Sequence, residues 1–200
     1  VSYVTFSTRS LDNKSHTVQV YFGESAVVAT NTPSQEVVAE TKQDGNLVYA
    51  TVGTKEQPVL GKKGDNIRID WGYAYLAVPE AGSRVLTGNP DQLKNEFKSK
   101  GQLSTSITSG VAGDLAMATV LNFGNVSGKK SSKHLLLGYD DVYSVQYFGQ
   151  NLRGWWRRDP ATTMVKTLQT AEGDYQRLRQ KSTAFDKQLY DAATKSGGKA

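Results

Sequence analysis

Between residue 1 and about residue 149, short stretches of alternating apolar and polar positions are separated by glycine and other turn residues. The clearest stretch covers residues 65–78, where the odd-numbered positions are apolar or aromatic: Ile67, Ile69, Trp71, Tyr73, Tyr75 and Ala77. Alternation with a period of two is the pattern of a β-strand that buries one face. The pattern therefore predicts a strand over 65–78 whose odd-numbered side chains form a core face.

Six further stretches share this pattern and are predicted to be strands: residues 3–8, 16–21, 36–41, 47–52, 115–123 and 141–148. Turn residues such as Asp44-Gly45, Gly61 and Gly128 separate them. About seven short strands at this spacing are typical of an antiparallel β-sandwich. We therefore expect a mainly β fold, with a sandwich domain over residues 1–158.

One short helix is predicted to interrupt the strands. Asn89 is a favourable N-cap, Pro90 suits the first helical position, and Gly101 can end the helix. Leu93 and Phe97 are four residues apart and share one face of this helix.

The end of the chain has the pattern of helices. Asp159-Pro160 gives a start signal for a helix that continues to about residue 169, and Gly173 is predicted to separate it from a final helix. Residues 159–200 are therefore expected to form a helical linker.

The final helix has a largely apolar stripe at spacings of three and four residues: Tyr175, Leu178, Ser182, Phe185, Leu189 and Ala192. Such a stripe is unstable in water without a partner. We expect the helix to lie against the sandwich near Trp155-Trp156, or to pair with another copy, and to belong to the junction with a following domain in a longer protein.

Composition and charge limit the kinds of binding partner that are expected for the chain. The net charge is +5 and the pI about 9.3, but no block of five or more like charges occurs. With no aromatic RNA-binding motif and no zinc-ligand spacing, nucleic acid is not expected as a partner. No apolar run approaches the roughly 20 residues that span a bilayer, so no membrane span is expected.

Candidate chemistry is sparse. The chain has no Cys, and its two histidines, His16 at a strand start and His134 in a lysine-rich loop, are interpreted as ordinary surface residues. Asp140-Asp141 and the other carboxylates near strands are interpreted as turn caps or partners of arginines. We therefore expect no catalytic residue, no cofactor and no metal site within this chain.

Aromatic residues are the remaining candidates for a functional surface. Tryptophan can stack on a sugar ring, but the alternation around Trp71 and the helix after Trp156 favour a core or interface position. The candidate interdomain or ligand-facing residues are Trp71, Tyr139, Asp140, Asp141, Trp155 and Trp156.

Several separate motifs, in order along nearly the whole chain, carry a resemblance to a known family. They are Ser7-Thr-Arg-Ser-Leu-Asp12, Val18-Gln-Val-Tyr-Phe-Gly23, Asn31-Thr-Pro33, Val52-Gly-Thr-Lys-Glu-Gln-Pro58, Arg68-Ile-Asp-Trp-Gly-Tyr73, Tyr143-Ser-Val-Gln-Tyr-Phe-Gly149 and Ala184-Phe-Asp186. Together they resemble the N-terminal region of the glutaminase A family of fungi and gut Bacteroidetes.

This resemblance implies a secreted or periplasmic hydrolase several-fold longer than the chain, either a glutaminase or a glycosidase. In it, a galactose-mutarotase-like β-supersandwich precedes an (α/α) six-hairpin toroid that holds the catalytic residues. The chain would then be a non-catalytic accessory domain that packs on the toroid and orients it, with a carbohydrate or amino-acid substrate at the junction. The alternative is an independent carbohydrate-binding module that uses exposed Trp and Tyr. A coplanar pair of exposed tryptophans would favour the module, and a broad apolar patch would favour docking.

Overall fold

Two antiparallel sheets pack face to face in the computed structural model, which describes residues 1–79 and 83–198. The chain is mainly β, and the predicted antiparallel sandwich is confirmed. In the described residues the elements follow in this order: β1 Ser2–Thr8, β2 His16–Ser25, β3 Glu36–Asp44, β4 Leu47–Thr54, β5 Tyr73–Val78, β6 Val85–Gly88, α1 Pro90–Lys100, β7 Ser109–Val111, β8 Ala116–Val126, β9 Ser131–Asp140, β10 Val145–Tyr147, β11 Gln150–Leu152 and α2 Met164–Gly197.

The larger sheet has six strands in the order β1-β9-β5-β4-β3-β7, and the smaller sheet has the order β2-β8-β6. Strands β10 and β11 form a separate two-stranded hairpin. The main core lies between the two sheets, where side chains such as Leu76, Met117, Leu121 and Leu135 are fully buried. Burial of these large aliphatic side chains stabilises the sandwich by roughly 1.5–3 kcal/mol each.

Each sheet also has a helix on its outer face. Helix α1 begins at Pro90, with the Asn89 side chain accepting from two backbone N–H groups, and Gly101 ends it at a φ of 65°. The short helix predicted from these residues is confirmed. Its Leu93 packs against the smaller sheet together with Leu103 and Ala118.

The first third of α2 covers part of the outer face of the larger sheet. Met164 and Leu168 are buried there against Leu47, Tyr49 and Leu136. Gly138 of β9 allows this approach, because a Cβ at that position would collide with the Met164 side chain. The helix is therefore seated by packing rather than by helix propensity.

Polar contacts continue the packing of α2 on the larger sheet as far as Tyr175. The Tyr3 hydroxyl donates to the Ala171 carbonyl at 2.7 Å, and the hydroxyls of Thr5 and Tyr175 are 2.8 Å apart. His134 lies in β9 rather than in a loop, with Nε2 2.7 Å from Glu172 Oε2 and its ring stacked on Tyr175. The interpretation of His134 as an ordinary surface residue is therefore wrong: the strand carries it under α2.

The strand predicted over 65–78 begins only at Tyr73, and Ile67 and Ile69 are each 41% exposed. Its core face is also the opposite one, since Ala74 and Leu76 point between the sheets. Strand β5 is covered on both faces, by the smaller sheet on one side and by α2 on the other. Apolar residues therefore occupy both the odd-numbered and the even-numbered positions of β5, so alternation could not show which face lies between the sheets.

The other strand predictions hold in part. Residues 141–148 contain only the short β10, and β9 over Ser131–Asp140 was missed because lysines at its start indicate a loop. The short edge strands β6 and β7 were also missed.

The two helices predicted after residue 159 are one continuous helix of 34 residues, with Thr163 as N-cap. Gly173 lies inside it and does not break it. The packing of Leu168 and Tyr175 on either side of Gly173 outweighs its cost of about 1 kcal/mol in a helix. Tyr175 lies against Tyr3 and His134, but beyond it the helix leaves the sandwich. Docking of the whole segment 174–193 on the sandwich is therefore wrong, whereas pairing of the helix with another copy stays a prediction.

Candidate interdomain surface

One end of the larger sheet gathers most of the candidate residues. Tyr73, which begins β5, pairs with Asp140, which ends β9. The loop 55–72 and the segment 141–158 therefore leave the sheet side by side. A Cβ at Gly72, which has a φ of 79°, would collide with the Asp140 carbonyl, so glycine allows this close approach.

Trp71 joins these two segments and is only 7% exposed. Its indole N–H donates to the Tyr143 carbonyl at 3.0 Å, while its own carbonyl accepts from the Tyr139 hydroxyl at 2.6 Å. Burial, together with the negative charge of Asp141 and other carboxylates, raises the pKa of Tyr139 well above its usual value. Trp71 and Tyr139 thus anchor this end of the sheet and are not free to stack on a ligand.

Asp70 is buried beneath the loop, with a relative exposure of 1%. Its Oδ2 accepts from Lys62 Nζ at 2.7 Å and from Gln35 Nε2 at 3.0 Å. Its Oδ1 has no hydrogen-bond partner within residues 1–79 and 83–198. A half-satisfied buried carboxylate of this kind strongly constrains the loop, because loss of Lys62 would leave an unpaired charge.

Asp140 has a comparable role on the other segment. Both of its oxygens lie 2.7 Å from Arg157 Nη1, and Oδ1 also accepts from the Val142 N–H. Val142 has a φ of 58°, which is unfavourable for a β-branched residue and costs about 1–3 kcal/mol. The adjacent Asp141 is half-buried, and its carbonyl accepts from the Tyr143 N–H at 2.5 Å. These bonds fix how the chain leaves β9.

The hairpin β10–β11 carries an exposed aromatic surface. All six of its strand residues are exposed, and Phe148 at its turn is 88% exposed, with the Tyr147 ring packed edge-on against it at 4.5 Å. Trp155 is 78% exposed, and only the Arg158 guanidinium lies over its ring, at 4.1 Å. Val145, Tyr147, Phe148, Leu152 and Trp155 are called the hairpin surface below.

A second exposed apolar surface lies on α2 beyond Tyr175. Leu178, Phe185 and Leu189 share one face of the helix, and Tyr190 is close to it; all four side chains are exposed. These four residues are called the distal helix surface.

The candidate residues therefore separate into two groups. Trp71, Tyr139, Asp140 and Asp141 come together in the interior or at the edge of the sheet end, and Trp156 is half-buried against the core below α2. Only Trp155 is fully presented to solvent. The residues that sequence reasoning missed are Tyr147 and Phe148, although both lie in the motif over 143–149 that carries part of the family resemblance.

No group of three or more metal-ligating side chains lies together among residues 1–79 and 83–198. No helix among them is long and apolar enough to cross a membrane.

Among models of protein families, that of DUF5127, a domain of unknown function, matches residues 1–192 of the chain. No curated protein matches the chain.

Proposed function

The chain belongs to the DUF5127 family, and on that premise we propose that it is a non-catalytic accessory domain of a longer, secreted or periplasmic hydrolase of the glutaminase A type. Residues 1–158 are the sandwich domain and residues 159–200 the helical linker. The domain packs on a helical catalytic domain and orients it, and the substrate of that catalytic domain, a carbohydrate or an amino acid, binds at the junction.

The observation that carries the proposal is the pair of exposed apolar surfaces. The hairpin surface and the distal helix surface together present nine large apolar or aromatic side chains to solvent. Contiguous exposed apolar patches on soluble domains mark sites of protein contact. Five of the nine are aromatic, and aromatic residues are enriched in the centres of protein interfaces.

The hairpin turn adds a second argument. Phe148 and Gly149 have φ values of 45° and 77°, the geometry of a tight hairpin turn in which asparagine or glycine is usual at the first position. A bulky aromatic residue there is unfavourable and buries nothing within the described chain. Strain retained at an exposed site favours a role in contact with a partner.

The alternative function, an independent carbohydrate-binding module built on tryptophan, has less support. Trp71 is buried and Trp156 is half-buried, so Trp155 alone is fully exposed among the three. No coplanar exposed pair of tryptophans is therefore formed. An apolar surface of the size described is better suited to docking.

The test is amide hydrogen exchange in two proteins: the chain of residues 1–200 and a longer protein that includes the catalytic domain. We expect amides of the hairpin 145–152 and of residues 176–190 to exchange at least about tenfold more slowly in the longer protein, because docking removes local opening. Helix α1, on the smaller sheet, is the internal control and should not change. Equal exchange in both proteins at both surfaces would refute docking.

A pair of variants tests the hairpin surface by itself. Phe148→Asn relieves the turn and removes the aromatic side chain, so it should leave the chain folded while weakening contact with the separately produced catalytic domain. Phe97→Leu on α1 is the control. If Phe148→Asn binds that domain as tightly as the parent, the hairpin surface is not part of the interface.

The proposal also predicts the activity of the chain by itself. Pure chain should release no ammonia from glutamine and cleave no glycoside, because its residues offer no paired nucleophile and base. Ammonia release that a single carboxylate substitution abolishes would refute the non-catalytic assignment.

A further inference from the structure

The outer face of the larger sheet is only partly covered by α2. Beside the start of the helix, an open trough of about 710 Å³ runs over β5, β4 and β3. Its lining includes Tyr49, Tyr73 and Tyr75 from the centre of the sheet and Val165 from the helix. It shares no lining residue with the hairpin surface or the distal helix surface. The volume lies within the range of about 300–1,000 Å³ that small-ligand sites occupy.

The floor of the trough is aromatic. The rings of Tyr49 and Tyr75 lie 6.1 Å apart at an interplanar angle of 32° and are not stacked on each other. Tyr49 is only 7% exposed, so the half-buried Tyr73 and Tyr75 offer most of the aromatic surface. Tyr73 lies beside them over Gly53, where a Cβ would come within 2.7 Å of the Tyr73 ring. Glycine at 53 therefore allows the Tyr73 ring to lie low over the sheet and keeps the trough open.

The polar groups of the trough are mainly hydroxyls. Thr51 and Thr108 add two hydroxyl-bearing side chains to the three tyrosines, whereas Thr41, paired with the core residue Ala50, lies on the opposite face of the sheet. Within the described residues, none of the three phenol hydroxyls has a hydrogen-bond partner. Burial raises the pKa of Tyr75 to about 12, with a further contribution from Asp140, so its hydroxyl stays protonated and can both donate and accept.

The charges of the trough cancel. Glu40 and Lys42 line its β3 side and form an ion pair with each other at 2.5 Å. No other charged side chain lines it. The lining therefore favours an uncharged ligand over an anion or a cation.

We propose that this tyrosine trough binds a neutral saccharide. A sugar ring has apolar C–H faces that pack on aromatic rings, and a rim of hydroxyls that both donate and accept hydrogen bonds. The trough offers tyrosine rings for the faces and hydroxyl-bearing side chains for the rim. A proline-rich peptide also packs on tyrosines, but its backbone offers mostly acceptors. Five hydroxyl-bearing side chains that can donate and accept match a polyhydroxylated ligand better.

The test is titration of the isotope-labelled chain, observed by NMR, with cello-, malto-, xylo- and mannohexaose, and separately with a proline decapeptide. We expect at least one hexasaccharide to shift the amide signals of Thr51, Tyr73 and Tyr75 in a saturable manner. Tyr73→Ala should weaken that binding at least about tenfold. Tyr75→Phe, which keeps the ring and so protects the fold, should weaken it about threefold or more through loss of the hydroxyl.

Tyr21→Phe, which removes the hydroxyl of a half-buried tyrosine on the smaller sheet, is the matched control and should leave the affinity unchanged. Three results would overturn the inference: no hexasaccharide shifts the trough signals, the shifts lie in 145–158 instead, or only the decapeptide binds. None of these results bears on docking of a catalytic domain, which the hydrogen-exchange experiment tests separately.

Discussion

Glu24 provides the sharpest test of the sandwich interior. It lies near the end of β2, paired with the buried Met117, and the alternation of the strand places it on the same face as Phe22 of the core. Its Oε2 is buried without a hydrogen-bond partner in the described chain, and burial raises the pKa of the carboxyl from 4.5 to about 7. Replacement by glutamine removes the charge and keeps the shape.

The sign of the effect follows from the two pKa values. Below about pH 4.5 the carboxyl is neutral in both folded and unfolded chains, and it costs nothing. As the pH rises toward 7, the unfolded chain loses its proton first, so the free energy of unfolding falls; above pH 7 the loss is complete. At 1.36 kcal/mol per pKa unit the full shift would amount to roughly 3 kcal/mol. Glu24 is only partly buried, and solvent screening reduces the expected loss to about 1–2 kcal/mol.

Urea titrations of parent and Glu24→Gln at pH 5 and pH 8, followed by tryptophan fluorescence, measure this loss. The variant should gain about 1–2 kcal/mol relative to the parent between pH 5 and pH 8. Taking the difference between the two pH values cancels any cost of the buried amide itself. Glu56→Gln, at an exposed position, is the control and should show no such gain. A stability difference that is the same at both pH values would refute a neutral, buried Glu24.

Three other predictions concern stability. Trp71→Ala should cost roughly 3–5 kcal/mol in denaturant titration because it removes a buried ring, whereas Arg68→Ala should cost under about 0.5 kcal/mol; equal effects would contradict the anchoring role of the indole. Gly173→Ala should raise the free energy of unfolding by about 0.5–1 kcal/mol, since its Cβ would meet nothing within 4 Å. Deletion of residues 176–200 should change the global free energy of unfolding by less than about 1 kcal/mol, and a larger loss in thermal or urea unfolding would show that the distal helix is packed.

Sequence patterning was sufficient for the fold class and for elements with local signals. The Asn89 cap, Pro90 and Gly101 act within one helix, so α1 was predictable to within a residue. Strands β1 to β3 were located because one face of each is more polar than the other. Strand β4 is buried on both faces and was located because turn residues precede its short apolar run. Patterning failed for β5, where both faces are covered, since burial on the second face depends on a helix nearly 100 residues later in the chain.

The candidate site was predictable only as a region. The segment from Tyr139 to Arg158 has an unusual density of aromatic and charged residues, and most of the candidate residues come from it. Which of its rings are buried depends on partners that are distant in sequence, as with the Trp71 indole and the Tyr143 carbonyl. Phe148 was missed because its exposure follows from a backbone φ that composition alone does not indicate.

The position of β1 has a consequence for how the chain folds. Strand β1 pairs with β9, and its Tyr3 bonds to Ala171, 168 residues away in sequence. During synthesis, therefore, β1 has no partner until most of the sandwich has left the ribosome. Closing so long a loop is slow, and folding in the millisecond-to-second range is expected for such a topology. The unpaired strand is meanwhile open to strands of neighbouring chains, so its late pairing is the step at which refolding and aggregation compete.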